Sequence, residues 1–394
     1  MPMSRIMSKR FYAPLPQPFD PCLYCVACGA EFPMHDPRDI YDEREDWTRL
    51  RKKRKNRVAY VSDQELEQTD FKRHPELWSF FYRTILDDPQ SGSLRLSGIS
   101  DHRSWGWYPL PAPLDIHKAR IGGIPNPDGR HNVDFHMVNM LNADWNREKG
   151  QLIGYPIHVP CWLLLDRVIG HEIIRDNLRP FIQAVEGFWK DNSKLWEVLL
   201  THSQEEDECY EKGQHWLKDP PKIKKKPNQR QRSFPIKQVT PKPWHEPGSP
   251  YRIPAIQDLI DKACQVKDGH RHPIIHNHMV SMMPIEIAVM IIDMIYRGQK
   301  HSQARINDTW NALYAFQWTL PDTYWQSRCN PELVFEIDDL AQSGKAVDWP
   351  YLCLGLEELL LDEDWYCNSG LNNRGRTMSI MSGIRKRFLV LLDA

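Results

Sequence analysis

Two small groups of residues in this chain of 394 are spaced for metal chemistry. Cys22, Cys25 and Cys28 form C-x2-C-x2-C, and Gly29 follows the last of them. Thiolates two residues apart can grip one Zn2+, because the turn between them aims both sulfurs at one point. A tetrahedral site needs a second half, and His158-Val-Pro-Cys161 supplies H-x2-C. Cys25, Cys28, His158 and Cys161 are therefore the candidate ligands of a structural zinc, with Cys22 as an alternative. The halves lie 130 residues apart. Closure across such a span costs little extra, since each doubling of loop length adds only about 0.6 kcal/mol. Buried free thiols in a reducing compartment are the competing reading. A second group, His270, His272, His276 and His278, has no thiolate or carboxylate in register and reads as a loop that collects histidine.

Signatures of catalysis are missing. The chain contains no G-x-G-x-x-G, G-x-x-x-x-G-K-[ST], G-x-S-x-G or H-E-x-x-H. Asp338-Asp339 and Glu357-Glu358 could pair as acid and base, but on amphipathic helices such pairs more commonly form a solvated face. The expectation is a protein with no catalysis of its own.

The elements that would carry these residues fall into two parts. Pro75-Glu76 suits a first helical turn, yet the aromatic run to Ile85 suits a strand equally well. Alternation predicts a strand over 93–99, and the Pro, Gly, Asn and Asp of 100–150 predict long loops with short strands. Helices follow at 160–169 and 177–190, the second with Asn177 as N-cap. Nine prolines and the basic stretch 222–232 mark 203–254 as a linker. Beyond it the 3.6-residue period predicts helices over 254–265, 284–296, 308–318, 348–361 (Asp348 as cap, Pro350 in the first turn) and 371–392. The fold class expected is α+β: a mixed N-terminal domain over 1–202, open to stabilisation by zinc, the linker 203–254, and a mostly α-helical domain over 255–394.

Composition narrows the function. Lys and Arg number 51 against 52 Asp and Glu, for a net charge of −1. That balance argues against a nucleic-acid coat or an electrostatically held membrane protein. The basic runs 49–57 and 222–232 lack the interleaved aromatics of a nucleic-acid groove. No stretch reaches the roughly 18–20 apolar residues of a membrane helix, and no apolar segment follows the basic N-terminus as in a secretory signal. Odd, scattered cysteines fit the cytoplasm or nucleus. The 15 tryptophans, among them Trp162, Trp189, Trp310, Trp318, Trp325 and Trp349, punctuate helices as core anchors.

One helix points to a partner. Met283-Pro284-Ile285-Glu286-Ile287, followed by Met290-Ile291-Ile292-Asp293-Met294-Ile295, resembles the first helix of an F-box. With Cys25-Val-Ala-Cys28-Gly29, Leu94-Arg-Leu-Ser-Gly98, Tyr155-Pro-Ile-His158, Cys161-Trp162 and Trp318-x-Leu-Pro-Asp322 with Tyr324-Trp325 and Arg328, in that order, the chain is similar to F-box-like proteins of filamentous fungi. The resemblance implies an F-box-like module at about 283–328. Its partner would be the Skp-type adaptor of a cullin–RING ubiquitin ligase, contacted through Pro284, Ile285, Ile287, Ile291 and Met294, and the N-terminal region would hold an unknown client protein. Two departures stand out: Arg297 to Arg305 interposes a polar loop, and Gln326 follows Trp325 where the family pattern has Arg. A structural protein whose degenerate F-box no longer binds the adaptor is the alternative, and a zinc-dependent binding protein a further one.

Overall fold

The computed structural model describes residues 25–30, 32, 59–69, 75–101, 112–121, 133–135, 152–192, 248–265, 283–329, 331, 333–362, 365–366 and 369–393. Cys22, the basic runs, the histidines of 270–278 and the linker up to residue 247 lie outside them. The chain divides into two compact units, Met1–Leu200 with Ile380–Ala394, and Thr201–Ser379. The architecture is α+β, with a helical C-terminal region. Among the described residues, no helix is long and apolar enough to cross a membrane.

The first unit is built on a mixed sheet of six strands in the order β1-β4-β3-β2-β6-β5. These are β1 (Ala59–Ser62), β2 (Phe81–Asp88), β3 (Ser93–Asp101), β4 (Lys118–Ile121), β5 (Val133–Phe135) and β6 (Leu152–His158). β2 is central and pairs antiparallel with both β3 and β6. Burial on both faces explains why it does not alternate: Phe81 to Leu86 are all buried, with Arg83 and Thr84 among them. The one charged member of that run, Arg83, stays buried because α1 (Asp63–Gln68) supplies two carboxylates, Asp63 at 2.9 Å and Glu67 at 2.7 Å. Pro75 opens a 3-10 turn, Pro75–Ser79, and the strand begins just after it, which resolves the ambiguity of that segment. On β3, Gly98 passes under the segment leading into β4. A Cβ there would lie 2.2 Å from the Lys118 carbonyl oxygen, so only glycine fits.

β6 runs straight into α2 (Val159–Val168), followed by α3 (His171–Asp176) and α4 (Leu178–Asp191). Asn177 occupies the N-cap position of α4 but does not cap it. Its backbone sits at φ −132°, ψ 44°, and its side-chain amide instead donates to the Ile173 carbonyl at the end of α3. The inward face of α4 carries Phe181, Ile182, Val185, Phe188 and Trp189. The end of α11 (Leu371–Leu392) packs on it: Phe388 meets Phe181 edge to face at 5.7 Å, and Gly383 lies under the Phe188 ring. The unit boundary at Ile380 thus falls inside α11.

The second unit is helical: α5 (Pro254–Gln265), α6 (Ile285–Gly298), α7 (Gln303–Phe316), α8 (Asp322–Arg328), α9 (Glu336–Gln342), α10 (Trp349–Leu359) and the first part of α11. Asp348 caps α10 as expected, accepting from the Tyr351 amide. α7 starts five residues before the expected Asp308, because Ser302 is its cap and accepts from the Arg305 amide. Trp318, Trp325 and Trp349 are buried in the core of this unit, while Trp310 is half-buried against it.

Glu357 corrects an expectation. It is not on a solvated face but fully buried, where it accepts from the Tyr296 hydroxyl at 2.5 Å and pairs with Arg305 at 3.0 Å. Its neighbour Glu358, and Asp338 and Asp339, do face solvent. A second buried pair joins Glu336 to Arg374 through two 2.8 Å bonds.

Candidate metal centre and an exposed apolar helix face

The strand-to-helix junction of β6 and α2 does the work of positioning. His158 ends the strand and Cys161 sits in the first helical turn, with Pro160 between them where a missing N–H costs nothing. H-x2-C is therefore bent across one corner, and both side chains turn to the same side. Opposite lies a tight turn in which Cys25 N–H meets the Ala30 carbonyl and Gly29 N–H meets the Cys25 carbonyl. Gly29 adopts φ +72°, a conformation glycine takes without strain. The Val26 amide donates to the Pro156 carbonyl of β6 at 2.9 Å, and Trp189 of α4 donates to the Val26 carbonyl at 2.8 Å. These two bonds hold the turn against the junction.

The result brings together four donors from the two halves. Cys25, Cys28, His158 and Cys161 are all fully buried, and their donor atoms lie within 4.8 Å of one another. His158 Nδ1 is 3.5 Å from Cys28 Sγ and 4.0 Å from Cys161 Sγ. Ligands on a tetrahedral zinc are separated by about 3.6–3.8 Å, given bonds of about 2.3 Å to sulfur and about 2.0–2.1 Å to nitrogen. The donors thus stand at the spacing of a shared ion, and the cluster can bind a metal ion. Backbone amides support two of the sulfurs: His158 N–H to Cys25 and Ala30 N–H to Cys28, each at 3.4 Å. The His158 ring is walled by Phe32, at 4.0 Å between centroids, and Trp78, at 5.0 Å. Among the described residues, its Nε2 has no hydrogen-bond partner.

Electrostatics divides the three thiols. Burial pushes Cys25 and Cys161 well above the ordinary cysteine value. Burial opposes ionisation of Cys28 as well, but hydrogen bonds from Cys161, Cys25 and His158 outweigh it and hold that thiol well below. One thiolate beside two thiols is the arrangement from which a divalent cation displaces the remaining protons. All four donors are buried protein side chains.

No protein-family model, curated protein or solved structure matches the chain.

α6 is the second feature. Ala288, Ile292 and Tyr296 point into the core of the helical unit. Ile287, Met290 and Met294, at i, i+3 and i+7, form the opposite row and are 40%, 59% and 67% exposed. Ile291 lies half-buried at the edge of this row, and Pro284 is exposed just ahead of the helix. Ile285 is exposed too, but it sits on the row of Ala288 and Ile292, where the helix overruns the core. Met290 belongs to the outward row as well; the sequence places it in the motif but not among the expected partner contacts, although counting from Ile287 in helical steps adds it. Below the helix, Arg328 turns inward, its guanidinium 3.3 Å from the Tyr296 ring centroid and 3.5 Å from Asp293. Tyr324 donates to the same Asp293 at 2.9 Å.

Proposed function

We propose that this chain is a non-catalytic interaction protein, a substrate receptor that docks the Skp-type adaptor of a cullin–RING ubiquitin ligase through the outward row of α6. It would act by proximity, bringing a lysine of a bound client near a ubiquitin-charged enzyme, in the cytoplasm or nucleus. The observation that carries the reading is a single helix that buries Ala288, Ile292 and Tyr296 while leaving Ile287, Met290 and Met294 in solvent. An apolar helix face of this kind suits a groove on a partner. In the first unit, Cys25, Cys28, His158 and Cys161 hold a structural Zn2+. Three thiolates and one imidazole in tetrahedral array favour zinc over the harder cations that prefer oxygen.

Co-precipitation with purified Skp-type adaptor tests the docking. Burying one such side chain is worth about 1.5–3 kcal/mol, tenfold or more in affinity. The Met290→Asp, Met294→Asp double variant should therefore lose the adaptor while keeping its circular dichroism. Equal recovery of the variant would refute the role of this face. Failure of the wild type to bind would favour the second reading, a degenerate F-box, for which Gln326 beside Trp325 and the inward-turned Arg328 speak. Elemental analysis should find one zinc per chain, and a Cys28→Ser variant should not retain it.

A further inference from the structure

The four metal donors all lie in the first unit, and the turn that carries two of them is wedged into its core. Cys25, Val26, Ala27, Cys28 and Phe32 are all buried. Through Val26 the turn holds both β6, at Pro156, and α4, at Trp189. α4 in turn holds the end of α11, by Phe181 on Phe388, by Phe188 over Gly383, and by Asp191 paired with Arg387. A contiguous path of contacts therefore runs from the metal cluster to Gly383 and Phe388, more than two hundred residues further along the chain. The beginning of α11 has separate anchors. Arg374 there is bound to Glu336 and to the carbonyls of Pro250, Tyr251 and Leu333, all of the second unit.

We propose that the metal ion is a condition for folding of the first unit alone, so that α11 has two fates when the ion is withdrawn. The inference rests on the structural-zinc reading and extends it. Without the ion, four donors that face one another lose their common partner. The turn is then held chiefly through Val26, by its bonds to Pro156 and Trp189, and as it loosens α4 loses the Trp189 bond with it. The sheet, α2, α4 and residues 380–392 open, whereas α5 to α10 and the Arg374 end of α11 stay folded. Metal supply would then switch the unit assigned to the client and leave the outward face of α6 intact.

Hydrogen exchange read by mass spectrometry on the full chain, before and after EDTA, tests this, with bound zinc measured on the same samples. The expected result is one zinc per chain and, on its removal, protection falling about a hundredfold or more in β2, β6, α4 and residues 384–392, with residues 371–377 and α10 unchanged. A Cys161→Ser variant should show the same pattern without chelator. If zinc is present and its removal leaves both units protected, or exposes both equally, the inference is wrong while the zinc reading stands. If the chain neither carries nor takes up zinc, both fall.

Discussion

Arg374 offers the sharpest test of how the helical unit is held. Its guanidinium has five N–H donors and the structure gives each an acceptor: Nε to Pro250 at 2.7 Å, Nη1 to Leu333 at 3.0 Å and Glu336 at 2.8 Å, and Nη2 to Tyr251 at 2.7 Å and Glu336 at 2.8 Å. The group is fully buried and lies 4.3 Å from the Phe335 ring centroid. Arg374→Lys keeps the charge but supplies only three donors from one point. At least two of the five acceptors are then left buried and unpaired. At about 1–3 kcal/mol for each, the expected loss is about 2–6 kcal/mol, a large part of the 5–15 kcal/mol that holds a typical domain. Arg374→Met should cost at least as much, because the Glu336 carboxylate then stands alone and a broken buried pair costs about 3–5 kcal/mol by itself. Adding Glu336→Met should recover part of that loss. Because the chain has two units, the readout should be local: exchange protection of α9 and α10 as urea is raised, rather than one global melting curve. Arg374→Lys within about 0.5 kcal/mol of wild type would refute the argument that donor count, and not charge, makes this site.

Four further substitutions probe other parts of the fold. Gly98→Ala places a Cβ 2.2 Å from the Lys118 carbonyl and 2.4 Å from that of Asp115; β3 and β4 must part, at about 1–3 kcal/mol or more, and an unchanged melting temperature would show that the approach is looser than described. Ile292→Ala should cost about 2–5 kcal/mol and Met290→Ala almost nothing, and similar urea midpoints for the two would reverse the assignment of inward and outward faces of α6. His171 stacks on Trp162 and donates Nε2–H to its carbonyl at 2.7 Å; burial lowers its pKa, and the Trp162 carbonyl and Asp166 do not fully restore it. The unfolded chain therefore binds this proton first, and stability falls as pH drops below about 6.5 through the lower folded value. His171→Gln should flatten that slope relative to wild type in urea titrations at about pH 7.5 and 5.5, and parallel slopes would remove His171 as a cause.

What could be read from the residues alone was local. C-x2-C and H-x2-C announce half-sites by spacing, and Asp348 with Pro350 announces a helix start, because each is a short-range stereochemical requirement. Spacing pairs Cys25 and Cys28 with His158 and Cys161, but what holds the two half-sites together, Val26 meeting Pro156 and Trp189 across the fold, has no local signature. Sheet order was likewise hidden: β5 lies beside β6 in parallel and β4 beside β3, pairings that no local pattern encodes. Buried charge was the systematic miss. Glu357 and Arg305 lie 52 residues apart, and Glu336 and Arg374 lie 38 apart. Each taken singly resembles the polar side of an amphipathic helix, and only the partner brought by tertiary packing tells otherwise. The helical period of Ile380, Ile384 and Phe388 marks a buried face on α11, but not that this face belongs to a different unit from the one where the helix begins.

Both units must join segments far apart in sequence, and they do so with opposite chemistry. In the helical unit the joining group is part of the chain. Arg374 brings five N–H donors of its own, and its acceptors are two carboxylate oxygens and three carbonyls. In the sheet unit the donors are three thiols and an imidazole, and two of the thiols are held protonated by burial. They can be joined only by a cation taken from solution, with protons given up in exchange. Such a closure weakens as pH falls or as competing ligands rise, whereas a guanidinium clasp does not answer to chelators. The two halves of one chain should therefore differ in what can undo them: chelators for the sheet unit, loss of packing or of a single arginine for the helical one.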